Sequence, residues 1–345
     1  MTERLRWGVL GAARIATAKV IPAIQQASGC HVTAIASRDA TRARDAARSL
    51  GIPKAYASYE QLLDDPEVDV IYNPLPNHLH VPWTLAAAEA GKHVLCEKPI
   101  ALSAAEARQL IEARNRTGVY IQEAFMVRTH PQWVKAREIV DSGRLGELRS
   151  MIGAFSFYND DPTNIRNVTA FGGGALMDIG CYLVSMSRFM IGREPKRALG
   201  LIDYDPRFGI DRMTSMLLDF DGAHAIGSCN MQAVRYQRMQ ILGTGGRIEV
   251  EIPFNAPPDR TCRLLVDCDG DPSGSGVETL TVDTCNQFTI QAELFARAIL
   301  EGTEQMVSLE DSVRNMECLD AIVRSATSGC WEPVRAGFSG PTDSR

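Results

Sequence analysis

Three short stretches carry side chains able to move protons near neutral pH. Asn73-Pro-Leu-Pro-Asn77-His78-Leu-His80 follows the apolar run Val70 to Tyr72, and Cys96-Glu97-Lys98-Pro99 ends another, His93 to Cys96. Gly172-Gly-Gly-Ala-Leu-Met-Asp178-Ile-Gly180-Cys-Tyr182 opens a helical pattern far downstream. Oxidising a secondary alcohol or hemiacetal needs a group that takes the hydroxyl proton while hydride leaves. A free tyrosine, with a pKa of about 10, is a weak base at pH 7. An ammonium within a few Å lowers that value. Lys98 and Tyr182 make such a pair if the fold joins them, with Tyr182 as acid/base and Lys98 as its electrostatic partner on the substrate hydroxyl. Taken singly, each has a plainer explanation: a surface lysine before a proline turn, a capping His80, a core Tyr182. Lys98-Pro99 is also a candidate cis bond.

A nucleotide would have to supply the hydride acceptor. Gly8-Val-Leu-Gly11-Ala-Ala13-Arg14-Ile15-Ala16 stands where the first strand hands over to a helix. A dinucleotide fingerprint, G-x-G-x-x-G/A, belongs at that junction, because backbone amides there meet the pyrophosphate. Gly11, Ala13 and Ala16 fill its three positions, and Ala13 crowds the second. About 20 residues on, an NAD site places a carboxylate for the ribose hydroxyl. Here the strand ends in Ser37-Arg38, with Asp39 one step late and Arg42 nearby. A hydroxyl and a guanidinium suit a 2′-phosphate. NADP is therefore the expected cofactor and NAD the alternative, with Gly11, Ala13, Arg14, Ile15, Ser37, Arg38 and Arg42 as the binding residues.

The elements that must position these groups fall into two halves. Before residue 126, strand-like runs at Leu5 to Gly11, Val32 to Ser37, Val70 to Tyr72, His93 to Cys96 and Tyr120 to Ile121 alternate with helical patterns. These span Ile15 to Ala27, Arg42 to Leu50, Trp83 to Ala90 and Ala104 to Arg116, and Pro22 should kink or restart the first. Such alternation predicts a doubly wound α/β sheet, parallel and covered on both faces. After Arg144, strands follow one another: Arg149 to Phe157, Met213 to Phe220, Ala223 to Met231, Met239 to Leu242, Arg247 to Glu251 and Arg263 to Val266. Asp221-Gly222 is a strong hairpin signal. Helices are expected at about Ala175 to Met190, Gln287 to Leu300 and Leu309 to Ser325, and a polar loop over Asp267 to Gly276. The second half therefore reads as α+β with a mostly antiparallel sheet. The expected division is residues 1–125, residues 126–330 and a tail, 331–345.

Composition narrows the function. The 345 residues carry 36 Lys+Arg against 42 Asp+Glu, a formal net charge of -6, which exerts no pull toward nucleic acid or an anionic membrane. No run approaches the roughly 18 apolar residues of a membrane span, and Met1 to Arg6 has no signal-peptide character. Nine cysteines without a C-x-x-C pair suit reduced thiols in the cytoplasm. The six histidines show no helical i, i+4 pair, so no metal site is expected.

Together the stretches resemble the Gfo/Idh/MocA family, which holds glucose–fructose oxidoreductase and inositol dehydrogenase, from Leu5 to about Ser325. Glu97-Lys98-Pro99 after its strand is the most specific motif, and Asn77-x-x-His80 the next. Many members place histidine four residues after the aspartate of D-x-G-x-H. Tyr182 in that place resembles the branch of glucose–fructose oxidoreductase, NADP-dependent xylose dehydrogenases and dimeric dihydrodiol dehydrogenases. Asn164-Ile-Arg166, the glycines 172–174 and Glu123-Ala-Phe-Met-x-Arg128 with His130-Pro131 resemble the same branch.

The resemblance implies a Rossmann domain followed by a domain with a large open sheet. That sheet would floor the substrate pocket and join copies into a homodimer or homotetramer. It further implies that Asp178 holds substrate or Lys98, and that Leu75, Asn77, His80, Glu97 and Lys98 line the nicotinamide side, with His80 orienting a loop. Arg166 and Phe157 are expected in the pocket wall. The implied activity is hydride transfer between NADP and an aldose such as D-xylose or D-glucose, a related polyol, or a trans-dihydrodiol. An enzyme alternating two sugars on one tightly held cofactor is disfavoured, since such members carry an export segment and an N-terminal arm. The competing class, a non-catalytic NADP sensor or co-regulator, has no need of both Lys98 and Tyr182.

Overall fold

The computed structural model describes residues 4–271 and 273–334. Its first half runs β1 (Leu5–Leu10), α1 (Ile21–Gln26), β2 (Cys30–Ala36), α2 (Ala40–Leu50), β3 (Lys54–Tyr56), α3 (Tyr59–Leu63), β4 (Val70–Asn73), α4 (His80–Glu89), β5 (His93–Cys96), α5 (Ala104–Thr117) and β6 (Ile121–Glu123). The six strands are parallel in the order β3-β2-β1-β4-β5-β6. Every residue of β4 is buried, as helices on both faces require. The order reverses between β1 and β4, which opens a crevice beyond their carboxyl ends. β3 and α3 were not expected. β3 has only three residues, half-exposed, and α3 is one short turn capped by Ser58. Pro22 does restart its helix: a wide π turn, Ala16–Val20, precedes α1, and Pro22 sits in the first α turn, where its missing N–H costs nothing.

The second half runs α6 (Pro131–Asp141), β7 (Leu148–Tyr158), α7 (Cys181–Ile191), β8 (Arg197–Tyr204), β9 (Asp211–Asp219), β10 (His224–Asn230), β11 (Gln232–Gly243), β12 (Arg247–Val250), β13 (Cys262–Asp267), β14 (Glu278–Val282), α8 (Gln287–Glu301), α9 (Leu309–Ser328) and β15 (Glu332–Pro333). These strands make a nine-stranded sheet, β14-β13-β12-β11-β7-β10-β9-β8-β15. It is antiparallel except for β7 and β10, which lie parallel. The hairpin at Asp221-Gly222 forms with φ of 61° and 96°, the left-handed pair a two-residue turn requires. The expected tail is corrected at its start: Glu332–Pro333 pairs with β8, and 335–345 lie outside the described residues. The Gly-rich loop joins β13 to β14.

α7 and α9 cover the inner face of this sheet, while the outer face is bare. Leu201 and Val234 there are 72 % and 81 % exposed, and the paired Ile152 and Ile226 are exposed beside them. α8 crosses back to the first sheet, where Phe295 meets Trp7 edge to face at 6.0 Å and joins Ala292 and Ala296 in the core beside β1. Among the described residues one segment, Thr169–Ile191, is long and apolar enough to cross a membrane, but 78 % of its most apolar stretch is buried in the fold. It is the core segment that carries Asp178 and Tyr182.

Candidate functional site

A cavity of about 450 Å³ opens where the carboxyl ends of β4 and β5 face the start of α7. Of the expected site residues, Ile15, Leu75, Asn77, His80, Glu97, Lys98, Phe157, Arg166, Asp178 and Tyr182 all line it. Lys19, Met126, Phe155, Tyr158, Asn159, Asn164, Phe171, Asn255 and Phe288 also belong to its wall. Met126 and Asn164 lay in motifs already noted. The others come from β7, loops and helical turns with no local chemical pattern, so only the fold reveals them.

At the centre, one carboxylate serves two cations. Lys98 Nζ donates to Asp178 O at 2.8 Å and to Oδ1 at 3.1 Å, and Arg166 Nε donates to Oδ2 at 2.7 Å. Lys98 and Asp178 are almost buried, with 12 % and 13 % of their side chains exposed. Burial opposes the charges, but Arg166 and Lys98 hold the Asp178 carboxyl well below the usual range. Burial is the largest single effect at Lys98, but Asp178 together with Tyr182 and Cys181 overcomes it and keeps the ammonium above the usual range. The glycine run explains how Arg166 arrives. A Cβ on Gly173 would sit 2.3 Å from Arg166 O, and Gly174, at φ 122°, donates its N–H to that carbonyl at 2.9 Å. Asp211 accepts from Leu176 N at 2.7 Å and so fixes the π turn, Leu176–Gly180, that presents Asp178.

Tyr182 stands beside this cluster, with Lys98 Nζ 5.2 Å from its ring centroid. Phe125, Phe155 and Phe254 surround the ring, and its hydroxyl faces Met126 Sδ at 3.7 Å. Lys98 pulls the Tyr182 phenol down, as expected, but burial is the larger effect and the phenol stands above its ordinary range.

Glu97, Asn77 and His80 line the side of the cavity formed by the loops after β4 and β5. Tyr72 Oη donates to Glu97 Oε1 at 2.7 Å, and burial raises the Glu97 carboxyl. Asn77 Nδ2 donates to Gly172 O at 2.8 Å, and His78 stacks on Phe171 at 4.7 Å, so this loop clasps the second half. His80 is 1 % exposed, with Nδ1 2.7 Å from Pro99 O and Nε2 2.7 Å from Leu75 O. Burial draws its imidazole down to about 4 while the two carbonyls pull it up. Both bonds form together only on the doubly protonated ring, and a neutral ring donates to one carbonyl alone. The Lys98-Pro99 bond is cis.

The remaining cofactor candidates lie outside the cavity, along the ends of β1 and β2. Gly11 needs to be glycine: its φ is 83° and an added Cβ would meet Leu75 at 3.1 Å. Ala13 and Arg14 follow on the rim, with Arg14 exposed. Arg38 and Arg42 are exposed as well, and Arg42 reaches Ala12 O at 3.5 Å. Ser37 Oγ accepts from Asp39 N at 3.2 Å. The Asp39 carboxylate caps α2, accepting from Thr41 N and Arg42 N, and is thereby turned away from a ribose. No group of three or more His, Cys, Asp or Glu side chains able to hold a metal occurs among the described residues.

A nucleotide crevice on a parallel sheet, where Lys98 after β5 meets Asp178 and Tyr182 from the helical segment opening α7, defines a Rossmann-type oxidoreductase. Comparison with known proteins fixes the family. Residues 5–125 match the oxidoreductase family with an NAD-binding Rossmann fold, and 133–249 match the GFO/IDH/MocA C-terminal domain. The chain belongs to the Gfo/Idh/MocA family of oxidoreductases. It is 46 % identical to an uncharacterised oxidoreductase of Rhizobium meliloti, over 96 % of this chain and 100 % of that one. It is 40 % identical to an NADP(+) D-xylose 1-dehydrogenase of Haloferax volcanii, over 94 % and 98 %. A 3-ketoreductase from Actinomadura kijaniata, solved with NADP and TDP-benzene, superposes with a TM-score of 0.87 at 29 % identity, over 94 % and 98 %.

Proposed function

We propose that this protein transfers hydride between NADP and a carbon of a sugar or related polyol, with Lys98 and Tyr182 on the reacting oxygen. The observation that carries this reading is the convergence of Lys98, Asp178, Arg166 and Tyr182 in one cavity at the carboxyl edge of the Rossmann sheet. Residues 1–125 hold the cofactor and 126–330 supply the pocket. Arg38 and Arg42 beside the first loop, with Asp39 spent on capping α2, favour a 2′-phosphate over a bare ribose hydroxyl. The relatives named above, an NADP xylose dehydrogenase and an NADP-bound ketoreductase, support the same cofactor and an aldose or keto-sugar.

In this reading the cofactor supplies the hydride chemistry and the chain handles the proton. In carbonyl reduction, the neutral Tyr182 phenol donates a proton to the carbonyl oxygen while Lys98 stabilises the developing negative charge. In alcohol oxidation, Tyr182 must lose its proton first, and a substrate oxygen drawing Lys98 away from Asp178 would lower the phenol. Arg166 and Asp178 hold the neighbouring hydroxyls. Nine free cysteines favour a reducing compartment, the cytoplasm. The bare apolar outer face of the nine-stranded sheet suits a second copy, giving a homodimer or homotetramer. A monomer mass by light scattering would refute that assembly.

The test is absorbance at 340 nm with NADP⁺ against D-xylose, D-glucose, other aldoses, inositols and trans-dihydrodiols, repeated with NAD⁺, and with NADPH against keto-sugars. Turnover with one substrate group and NADP upholds the reading. Silence across both directions while NADPH still binds would favour a sensor.

A further inference from the structure

The peptide unit that follows Lys98-Pro99 is held at both ends. Its carbonyl, Pro99 O, lies 2.7 Å from His80 Nδ1, and its N–H, on Ile100, donates to Glu123 Oε1 at 2.8 Å. The C=O and N–H of a planar trans amide point in opposite directions, so the two side chains grip one amide from opposite sides. Each is 1 % exposed, and they come from different elements, the first residue of α4 and the last of β6. His80 Nε2 also lies 2.7 Å from Leu75 O, so the ring, when protonated on both nitrogens, fixes the loop after β4 against the turn after β5. Behind Glu123, Ser312 of α9 faces the carboxyl, with Asp311 and Arg188 beyond.

Burying a carboxyl and an imidazole is costly unless they are well bonded, and neither touches the Asp178 cluster. What they do fix is backbone one residue from Lys98, whose side chain must reach Asp178 on the opposite half. A misplacement of about 1 Å at such a group can cost about 100-fold in rate.

We propose that His80 and Glu123 are positioning residues that lock the Pro99–Ile100 peptide and so aim the Lys98 ammonium at the reacting oxygen. This rests on the role given to Lys98 above. The test uses the full chain with His80→Gln, Glu123→Leu, Glu123→Gln and the double variant His80→Gln/Glu123→Leu. The chain has six lysines, so incorporating ¹³Cε-lysine gives a resolvable set of signals with the amines unaltered, and Lys98→Met identifies the one from Lys98. That signal needs no substrate. In Glu123→Leu and His80→Gln it moves toward the exposed lysines, and in Glu123→Gln, which keeps an acceptor for Ile100 N–H, it stays.

With substrate, the two disruptive variants lose about 10- to 100-fold in kcat, while in Glu123→Leu, whose side chain lies outside the cavity wall, the NADPH Kd changes less than about twofold. Because both act on one amide, the double variant loses about as much as the worse single one, rather than the product. An unmoved Lys98 signal, multiplying losses, or an effect confined to KM overturns the proposal. Should Glu123→Leu fail to fold, His80→Gln against Glu123→Gln decides on the same signal. A Lys98→Met enzyme with normal turnover overturns the role of Lys98 and this proposal with it. An inactive Lys98→Met beside unaffected His80 and Glu123 variants overturns this proposal alone.

Discussion

Replacing Asp178 by asparagine keeps the shape of the side chain and removes its charge. In the native protein one carboxylate neutralises Lys98 and Arg166 together. Asparagine would leave both cations facing each other, with an amide able to accept from only one. Stripping one partner from a buried ion pair costs about 3–5 kcal/mol. Arg166 has 40 % of its side chain exposed, so water shares its charge and the lower figure applies. Unfolding entropy of about 2.1 cal/mol/K per residue, taken over 345 residues, is about 0.7 kcal/mol/K. A loss of about 3 kcal/mol then lowers Tm by about 4 °C at pH 7.

The sign with pH follows from the depressed carboxyl. Its stabilisation is fully present above the unfolded value of about 3.9 and is lost as pH falls through the lower folded value. The native and variant melting curves should therefore converge only in acid. With Lys98 held only by the Asp178 main-chain carbonyl, kcat should fall about 100-fold, while NADPH binding, centred on the β1 and β2 ends, persists. Scanning calorimetry across pH and initial rates at 340 nm measure both effects. An Asp178→Asn protein that melts within about 1 °C of native at pH 7 and turns over normally would refute the argument.

Three further outcomes are expected. Tyr182→Phe, which removes only the hydroxyl, should abolish turnover with NADPH fluorescence titration unchanged; retained activity would move the proton donor to Lys98. Arg38→Ala should raise the KM for NADP far more than for NAD, and equal changes would sink the 2′-phosphate assignment. Burial pushes Glu123 up to about 8, so the folded protein holds a proton that the unfolded chain releases near pH 4.3. Stability should decline as pH rises from there through 8, and Glu123→Gln should flatten that decline in Tm. Parallel native and variant curves would count against it.

The candidate site was legible because its residues sit at chain positions with strong local signals. Lys98 follows a buried four-residue strand, and Asp178 and Tyr182 occupy successive turns opening a helix after three glycines. The long apolar strands and the Asp221-Gly222 turn announced themselves similarly. β3, β14 and β15 did not, since each is short or shows polar residues on both faces, and β8 carries Gly200 in its middle. α6 was hidden behind the proline at its first position. The effect of burial on Tyr182 was hidden for a different reason. Spacing brings a lysine near a phenol, but only the fold shows that Asp178 has already claimed the ammonium and that three phenylalanines exclude water from the ring.

The return of α8 to the first sheet has a consequence for how the chain is made. Trp7 leaves the ribosome early, yet the ring that closes over it belongs to Phe295. At about 5–20 residues per second the intervening chain takes on the order of 15–60 s to appear. Throughout that interval the nucleotide-binding half carries an uncovered apolar face beside β1, and β7 waits for both of its neighbours, β10 and β11. Synthesis of this enzyme thus passes through a sticky, half-clad nascent state, and slowing translation in its second half should increase the demand for chaperones.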